Sequence, residues 1–174
     1  TGQPGRTADL ALQGDRIVWV AQVGKGEALR DISAAGAVVT PGFIDTHSHS
    51  DLMVLMEPEL LPKLMQGITT ELLGQDGIGA APMHPQHAVQ WRQYMAGLSG
   101  DPPISWDWES LGQYAERLAA VPTGPNLALL VPQGNVRLVV MGLENVFADA
   151  NQIKAMEERV RQGMEEGALG ISLG

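Results

Sequence analysis

The sequence predicts an α/β fold in which helices alternate with parallel strands, preceded by a short β region. From residue 41 to residue 174, apolar and β-branched segments alternate with segments of helical periodicity. Strands that alternate with helices in this way form parallel sheets. The first 40 residues carry short alternating runs that are typical of antiparallel strands. We therefore expect a domain boundary near residues 39–42.

The first predicted element is a β-hairpin in the segment ADLALQGDRIVWV, residues 8–20. Two runs of alternating apolar residues flank Gly14-Asp15, a dipeptide typical of two-residue hairpin turns. A third extended segment is predicted around residues 29–32.

The next strand is predicted over residues 43–49, directly after Pro41-Gly42. Side chains alternate between the two faces of a strand. Asp45, His47 and His49 are therefore expected on one face of the strand, opposite Ile44, Thr46 and Ser48.

A βαβ unit follows this strand. Residues 58–66 have helical periodicity, and Gly67 is a typical helix stop. The segment ITTELLGQDG, which begins at residue 68, is β-branched and apolar before it ends in a polar loop. It is therefore predicted to be a second buried strand.

The remaining elements continue the alternation of helices and strands. They are helices over residues 86–98 and 109–120, a strand over residues 126–131, a long helix from about residue 149, and a strand over residues 168–173.

The composition limits the class of protein. The chain has 174 residues and a formal net charge of −9, which argues against binding to nucleic acid or to an anionic membrane surface. It has no cysteine, so disulfides and cysteine-ligated metals are excluded. No signal peptide or membrane-spanning segment is evident, and we expect a soluble, cytoplasmic protein.

The strongest candidate for chemistry is the pair His47-x-His49 at the carboxyl end of the first α/β strand. Imidazoles two residues apart on a strand point the same way, so both could bind one divalent cation. Two polar histidines in a loop would give the same pattern, and three ligands are typical of catalytic zinc. Asp45 is expected to orient an imidazole or to bind weakly.

Asp76 is the second candidate because it follows the second buried strand at the same edge of the sheet. Its carboxylate could complete a metal site or bridge two ions, or it could be an ordinary turn residue. Glu71 has the opposite parity in that strand and is expected to be structural.

Other polar and aromatic residues are weaker candidates. His84 and His87 are expected in a surface loop, and the tryptophans are expected to anchor helices. Arg137 is a lone cation in an apolar run, suited to a substrate carboxylate or to an acidic neighbour. The chain contains no GxSxG, P-loop or GxGxxG signature.

The segment VVTPGFIDTHSHSD resembles the first-strand signature of the metal-dependent amidohydrolase superfamily. The segments GITTELLGQDGIGAAP, GNVRLVVMG and MEEGALGISLG are similar to the D-aminoacylase branch, the N-acyl-D-amino-acid deacylases. The resemblance covers nearly the whole chain in the same order.

The resemblance implies that His47 and His49 are ligands of one metal position, with one or two zinc ions in the site. Asp76 stands where this branch usually has a cysteine ligand, and a carboxylate could take that bridging role. Gln133 stands where family members often have a histidine in the third-strand loop, so any role of this loop in substrate contact is weakly supported. The fourth strand has no lysine that could be carboxylated.

The resemblance also implies a partial (β/α)8 TIM-type barrel. Residues 41–174 would form about the first four β/α units, and residues 1–40 would be part of a small β-sandwich domain. The implied reaction is zinc-dependent hydrolysis of an N-acyl-D-amino acid, a small-molecule substrate. The general-base aspartate and two further histidine ligands would lie beyond Gly174, so these 174 residues alone are expected to be inactive.

Two alternatives remain open at this point. One is a cyclic-amide hydrolase of the dihydroorotase or hydantoinase type, which the missing lysine disfavours. The other is a non-catalytic metal-binding or scaffold protein that pairs with a complementary chain.

Overall fold

The computed structural model describes residues 4–21 and 27–174 of the chain. The chain divides into two compact units, Thr1–Thr40 and Pro41–Gly174. No helix in the described parts of the chain is both long and apolar enough to cross a membrane.

The first unit contains an antiparallel hairpin of β1 (Asp9–Gln13) and β2 (Arg16–Ala21). Gly14 adopts a φ of 60° in the two-residue turn, a conformation that glycine reaches without strain. The predicted hairpin is therefore confirmed. The extended segment predicted at residues 29–32 forms no strand, and its Leu29 and Ile32 are exposed. Apolar pattern alone forms no strand where a segment gains no hydrogen-bonded neighbour.

The second unit is built on parallel strands. β3 (Phe43–Asp45), β4 (Ile68–Leu73) and β5 (Asn126–Leu129) form one sheet in that order. β6 (Val131–Pro132) and β7 (Ile171–Ser172) form a second parallel pair. The predicted α/β class with parallel strands is confirmed.

Six helices connect and flank these strands in the second unit. They are α1 (Met53–Met56), α2 (Leu61–Leu64), α3 (Pro85–Ser99), α4 (Leu111–Ala119), α5 (Gln133–Met141) and α6 (Ala150–Glu165). Side-chain hydrogen bonds cap three of them, at His84, Ser110 and Asp149, as expected for helix N-termini.

One predicted helix is wrong and one observed helix was missed. The continuous helix predicted over residues 58–66 is a single turn, α2, because Leu60 has a left-handed φ of 43° and Pro62 lies in the first turn. Helix α5 was not predicted, because its Gly134-Asn135 start and β-branched residues disfavour a helix locally. Packing decides the outcome there, since Asn135, Val136, Leu138 and Met141 are buried.

The core of the second unit lies between the strands and the helices that flank them. Leu73, Val131 and Val136 pack in one buried cluster with Trp108 and Tyr114, whose rings are in contact. The indole N–H groups of Trp91 and Trp108 donate to the carbonyls of Gly79 and Ala80. These bonds tie the chain just after β4 to α3 and to the segment before α4.

Candidate metal centre

The carboxyl ends of β3 and β4 bring the candidate ligands together. We call residues 46–50 the histidine loop and residues 74–77 the Asp76 turn; they follow β3 and β4, respectively. The strand predicted over residues 43–49 ends at Asp45. His47 and His49 therefore lie in a loop, and the loop, not strand alternation, aims both rings at the same point.

His47, His49 and Asp76 each offer a ligand atom, and these three atoms lie within 4.8 Å of one another. His47 Nε2 is 3.0 Å from Asp76 Oδ2, and His49 Nε2 is 3.2 Å from the same oxygen. The side chains of His47 and Asp76 are 59% and 54% exposed, whereas that of His49 is 16% exposed. The group is thus open to solvent on the side of His47.

The three side chains fit a divalent cation such as zinc. Two imidazole nitrogens and a carboxylate oxygen are ligands that zinc accepts. In a tetrahedral site with bonds of 2.0–2.1 Å, neighbouring ligand atoms are about 3.3 Å apart. The distances of 3.0 and 3.2 Å from Asp76 Oδ2 to the two ring nitrogens are close to this value.

The backbone of the Asp76 turn is unusual. Asp76 has a φ of 54°. Two glycines of the same turn also have positive φ angles, Gly74 at 78° and Gly77 at 71°. Aspartate is among the few non-glycine residues that tolerate the left-handed region. Non-glycine residues in such conformations persist where the surrounding structure over-determines them, and they cluster at functional sites.

The polar groups at both ends of the Asp76 turn have partners outside it. Gly74 N–H donates to Asp51 Oδ1 at 3.1 Å. Gly77 N–H donates to Ser172 Oγ at 3.1 Å, and Ser172 Oγ donates to the Gly74 carbonyl at 2.5 Å. The Gly77 carbonyl accepts from Gly134 N–H at 2.7 Å.

A side chain also connects the two segments that carry the candidate ligands. Gln75 Nε2 donates to the carbonyl of Thr46 at 2.7 Å. This bond fixes the distance between the Asp76 turn and the start of the histidine loop.

A charged cluster lies beneath the histidine loop. Lys63 Nζ is 2.5 Å from Asp45 Oδ2 and 3.2 Å from Glu71 Oε1. Glu71 is fully buried and accepts from Ser48 Oγ at 2.7 Å. The hydrogen bond from Lys63 lowers the pKa of Asp45, and Asp45 and Glu71 together raise the pKa of Lys63 against the effect of burial.

Asp45 accepts a hydrogen bond from the backbone of His47 and not from an imidazole ring. Its Oδ1 accepts from the backbone N–H of His47 at 3.1 Å. Sequence reasoning missed Lys63, which comes from α2, 18 residues along the chain from Asp45. No local sequence pattern predicts the contact between Lys63 and Asp45, because it depends on how α2 packs.

A second buried carboxyl group follows the histidine loop. Asp51 is 1% exposed, and burial raises its pKa to about 7 although the Gly74 N–H opposes the shift. The Tyr114 hydroxyl donates to the backbone carbonyl of Asp51. Asp51 thus links the end of the histidine loop to the Asp76 turn and to α4.

The weaker candidates lie outside this group of ligands. The Arg137 guanidinium donates to the carbonyls of Glu144 and Val146, both at 2.8 Å, so it holds the loop after α5. Gln133 begins α5 and lines a groove of about 430 Å³ between α5 and α6. His84 and His87 lie at the start of α3, with ring centroids 6.2 Å apart.

Comparisons with known proteins agree over nearly the whole chain. A model of the amidohydrolase family matches residues 30–174. The chain is 34% identical to a D-aminoacylase of Alcaligenes xylosoxydans xylosoxydans, over 98% of the chain and 34% of that protein. It is 36% identical to an N-acyl-D-glutamate deacylase of the same organism, over 99% of the chain and 34% of that protein. The chain spans about a third of the length of these relatives.

Solved structures show the same similarity in three dimensions. A crystal structure of D-aminoacylase matches with a TM-score of 0.85 at 35% identity, over 100% of this chain and 36% of that one. An N-acyl-D-glutamate deacylase of Bordetella bronchiseptica, in complex with zinc and a phosphonate inhibitor, matches with a TM-score of 0.86 at 33% identity. That match covers 100% of this chain and 35% of the other. With the fold of the D-aminoacylases and a sequence match over residues 30–174, the chain belongs to the amidohydrolase family.

Proposed function

We propose that this chain is the metal-binding part of a zinc-dependent hydrolase that cleaves the linear amide of N-acyl-D-amino acids. The observation that carries the proposal is the convergence of His47, His49 and Asp76 at the carboxyl ends of two parallel strands. Relatives over the whole chain are named for the deacylation of such amides. Zinc is bound in one related structure, and a binuclear metal centre is described for a D-aminoacylase.

The residues of this chain would hold the cation and orient the site. His47 and His49 would bind the cation through Nε2. The carboxylate of Asp76 would complete the site or bridge two ions. When bound, zinc activates water for attack and polarises the scissile carbonyl. Asp45 fixes the backbone of His47, and the backbone of the Asp76 turn fixes the direction of the Asp76 carboxylate. The residues that would bind the cation are therefore held in place before substrate arrives.

The remaining machinery would lie beyond the 174 residues. We propose that residues 41–174 form about the first four units of a (β/α)8 barrel, and that residues 1–40 are part of a small β-sandwich domain. Further histidine ligands and the general-base aspartate would follow Gly174. Gln133 is the better candidate for substrate contact, since the Arg137 guanidinium already serves backbone carbonyls.

The test uses the full-length enzyme that contains this chain. Metal is removed with a chelator and restored as Zn²⁺, and hydrolysis is measured on N-acetyl-D-amino acids, on their L-enantiomers and on hydantoins. We expect cleavage of the D-amides that is lost without metal and regained with zinc. Preference for hydantoins would favour a cyclic-amide hydrolase, and metal binding without any hydrolysis would favour a scaffold. Either result would contradict the proposal.

A further inference from the structure

The buried hydroxyl of Ser172 contacts both ends of the Asp76 turn. Ser172 lies in β7, is 7% exposed and pairs with Pro132 of β6. Its oxygen accepts from Gly77 N–H and donates to the Gly74 carbonyl. One hydroxyl thus uses its donor and an acceptor position on two backbone groups that lie three residues apart.

These two bonds are half of the hydrogen bonds that hold the ends of the turn. The N–H and C=O groups of Gly74 and Gly77 have partners on Asp51, Ser172 and Gly134. Ser172 serves two of these four groups. Without its hydroxyl, Gly77 N–H and the Gly74 carbonyl would be buried with no partner, which is costly inside a protein.

The direction of the Asp76 carboxylate depends on the backbone of this turn. With its φ of 54°, Asp76 projects its side chain toward the two histidine rings. An extended or helical backbone at the same position would send the carboxylate elsewhere. The hydrogen bonds at Gly74 and Gly77 oppose such a change, because they fix the residues on both sides of Gln75-Asp76.

We propose that Ser172 is a positioning residue for the metal centre, acting on Asp76 through the backbone of the turn. This inference rests on the proposed function, since it assigns Ser172 a role toward the metal that Asp76 would bind. Ser172 itself makes no contact with the ligand atoms of His47 or His49 that is seen among the described residues. Substitution of an outer residue that orients a metal ligand typically weakens metal binding by about ten- to a hundredfold.

The test compares four variants of the full-length enzyme with the wild type. Ser172→Ala removes the hydroxyl, Ser172→Cys keeps its size with a weak donor, and Ser172→Thr keeps the hydroxyl. Ser99→Ala is the matched control, because Ser99 is 2% exposed and its hydroxyl has no partner among the described residues. Zinc affinity is measured by competition with a chromophoric chelator, and the visible spectrum of the Co²⁺ form reports the ligand geometry.

We expect Ser172→Ala to weaken zinc binding by about ten- to a hundredfold and to alter the Co²⁺ spectrum, with Ser172→Cys between it and the wild type. Ser172→Thr and Ser99→Ala should remain within about threefold of the wild type. Circular dichroism without metal checks that each variant folds.

Three results would overturn the inference. Affinity and spectrum could be unchanged in Ser172→Ala, or Ser99→Ala could lose as much affinity, which would indicate a general effect of core loss. The third result is that both Ser172→Ala and Ser172→Cys fail to fold, which would show that the hydroxyl acts on stability alone. A wild type that binds no metal would overturn the proposed function as well, so the two failures are distinguishable.

Discussion

The histidine loop and the Asp76 turn contribute to one site, but different interactions hold them. Beneath the histidine loop lie charges: Lys63 pairs with Asp45 and with the buried Glu71. The Asp76 turn is held by hydrogen bonds between backbone groups and the side chains of Ser172 and Asp51. A left-handed backbone adds a geometric constraint to the turn alone.

This difference separates two ways of fixing a candidate metal ligand. A charged cluster is strong only while every partner is present, since removing one leaves a buried charge without compensation. A hydroxyl that bonds to the backbone fixes geometry with little change of charge. We therefore expect loss of a charged partner beneath the histidine loop to lower the stability of the fold. Loss of the hydroxyl that bonds to the Asp76 turn should instead change the position of the Asp76 carboxylate.

The largest effect should follow removal of a ligand from either loop. His49→Ala and Asp76→Ala should each weaken zinc binding by at least about a hundredfold, beyond the effect typical of outer residues, and abolish hydrolysis. His87→Ala, at the start of α3, should leave both unchanged. Chelator competition and activity on an N-acyl-D-amino acid measure the effect. If one ligand variant retained the affinity of the wild type, that residue would not belong to the site.

Loss of Lys63 should be the next largest effect and should act on stability. Lys63→Met leaves Glu71 buried without its cation, so we expect a loss of about 2–4 kcal/mol in the free energy of unfolding. Lys63→Met/Glu71→Gln should recover at least about 1 kcal/mol of it. Lys154→Met, on the exposed face of α6, should stay within about 0.5 kcal/mol. Urea unfolding measures these proteins together with the single variant Glu71→Gln, and simple additivity of the two single effects would argue against coupling between Lys63 and Glu71.

A methyl group at Gly74 should strain the Asp76 turn. Gly74 has a φ of 78°, and an added Cβ would lie 2.8 Å from the Leu130 carbonyl oxygen. Gly74→Ala should therefore lower the free energy of unfolding by about 1–3 kcal/mol. Gly97→Ala, in α3 with nothing within 4 Å, should raise it by about 0.5–1 kcal/mol. Equal effects at the two positions in thermal or urea unfolding would show that the turn is not specially constrained.

The smallest effect should be a difference in pH dependence between the two loops. The folded pKa of Lys63 is raised above its ordinary value of 10.5. Its contribution to stability is therefore complete below that value and is lost as pH rises through the folded pKa. Lys63→Arg stays charged, so the wild type should lose up to about 1 kcal/mol relative to it above about pH 10.5.

Unfolding midpoints across the alkaline range measure this difference. The effect of Ser172→Ala on stability should not change over the same range, because the serine hydroxyl does not titrate there. A parallel pH dependence of Lys63→Arg and the wild type would contradict the assignment of the charged cluster.

The position of the site was predictable because parallel strands end at the same edge of a sheet. From that rule alone Asp76 was predicted to lie near His47 and His49, and the structure brings the three side chains together. Their role as metal ligands stays a prediction. The rule did not foresee that β3 ends at Asp45, because alternation continues into the loop in the sequence.

The supporting residues could not be predicted, because they lie far apart along the chain. Glu71 was expected to be structural, and it is buried against Ser48 and Lys63, but its partner Lys63 lies in a segment whose pattern is set by its apolar neighbours. Ser172 contacts a turn almost 100 residues earlier, and only the pairing of β6 with β7 brings it there. In the described part of the chain, the Arg137 guanidinium meets loop carbonyls and not an acidic neighbour, and contact with a substrate carboxylate stays a prediction.

The sequence separation of Ser172 from the Asp76 turn affects the order of assembly. Both histidines and Asp76 leave the ribosome well before residue 172, which lies 95 residues after Gly77 and 98 after Gly74. Contacts of such long range carry a large loop-closure entropy and form late. A nascent chain can therefore present three candidate ligands to a cation before the backbone between them is fixed, and the Asp76 turn reaches its final geometry no earlier than the docking of β7.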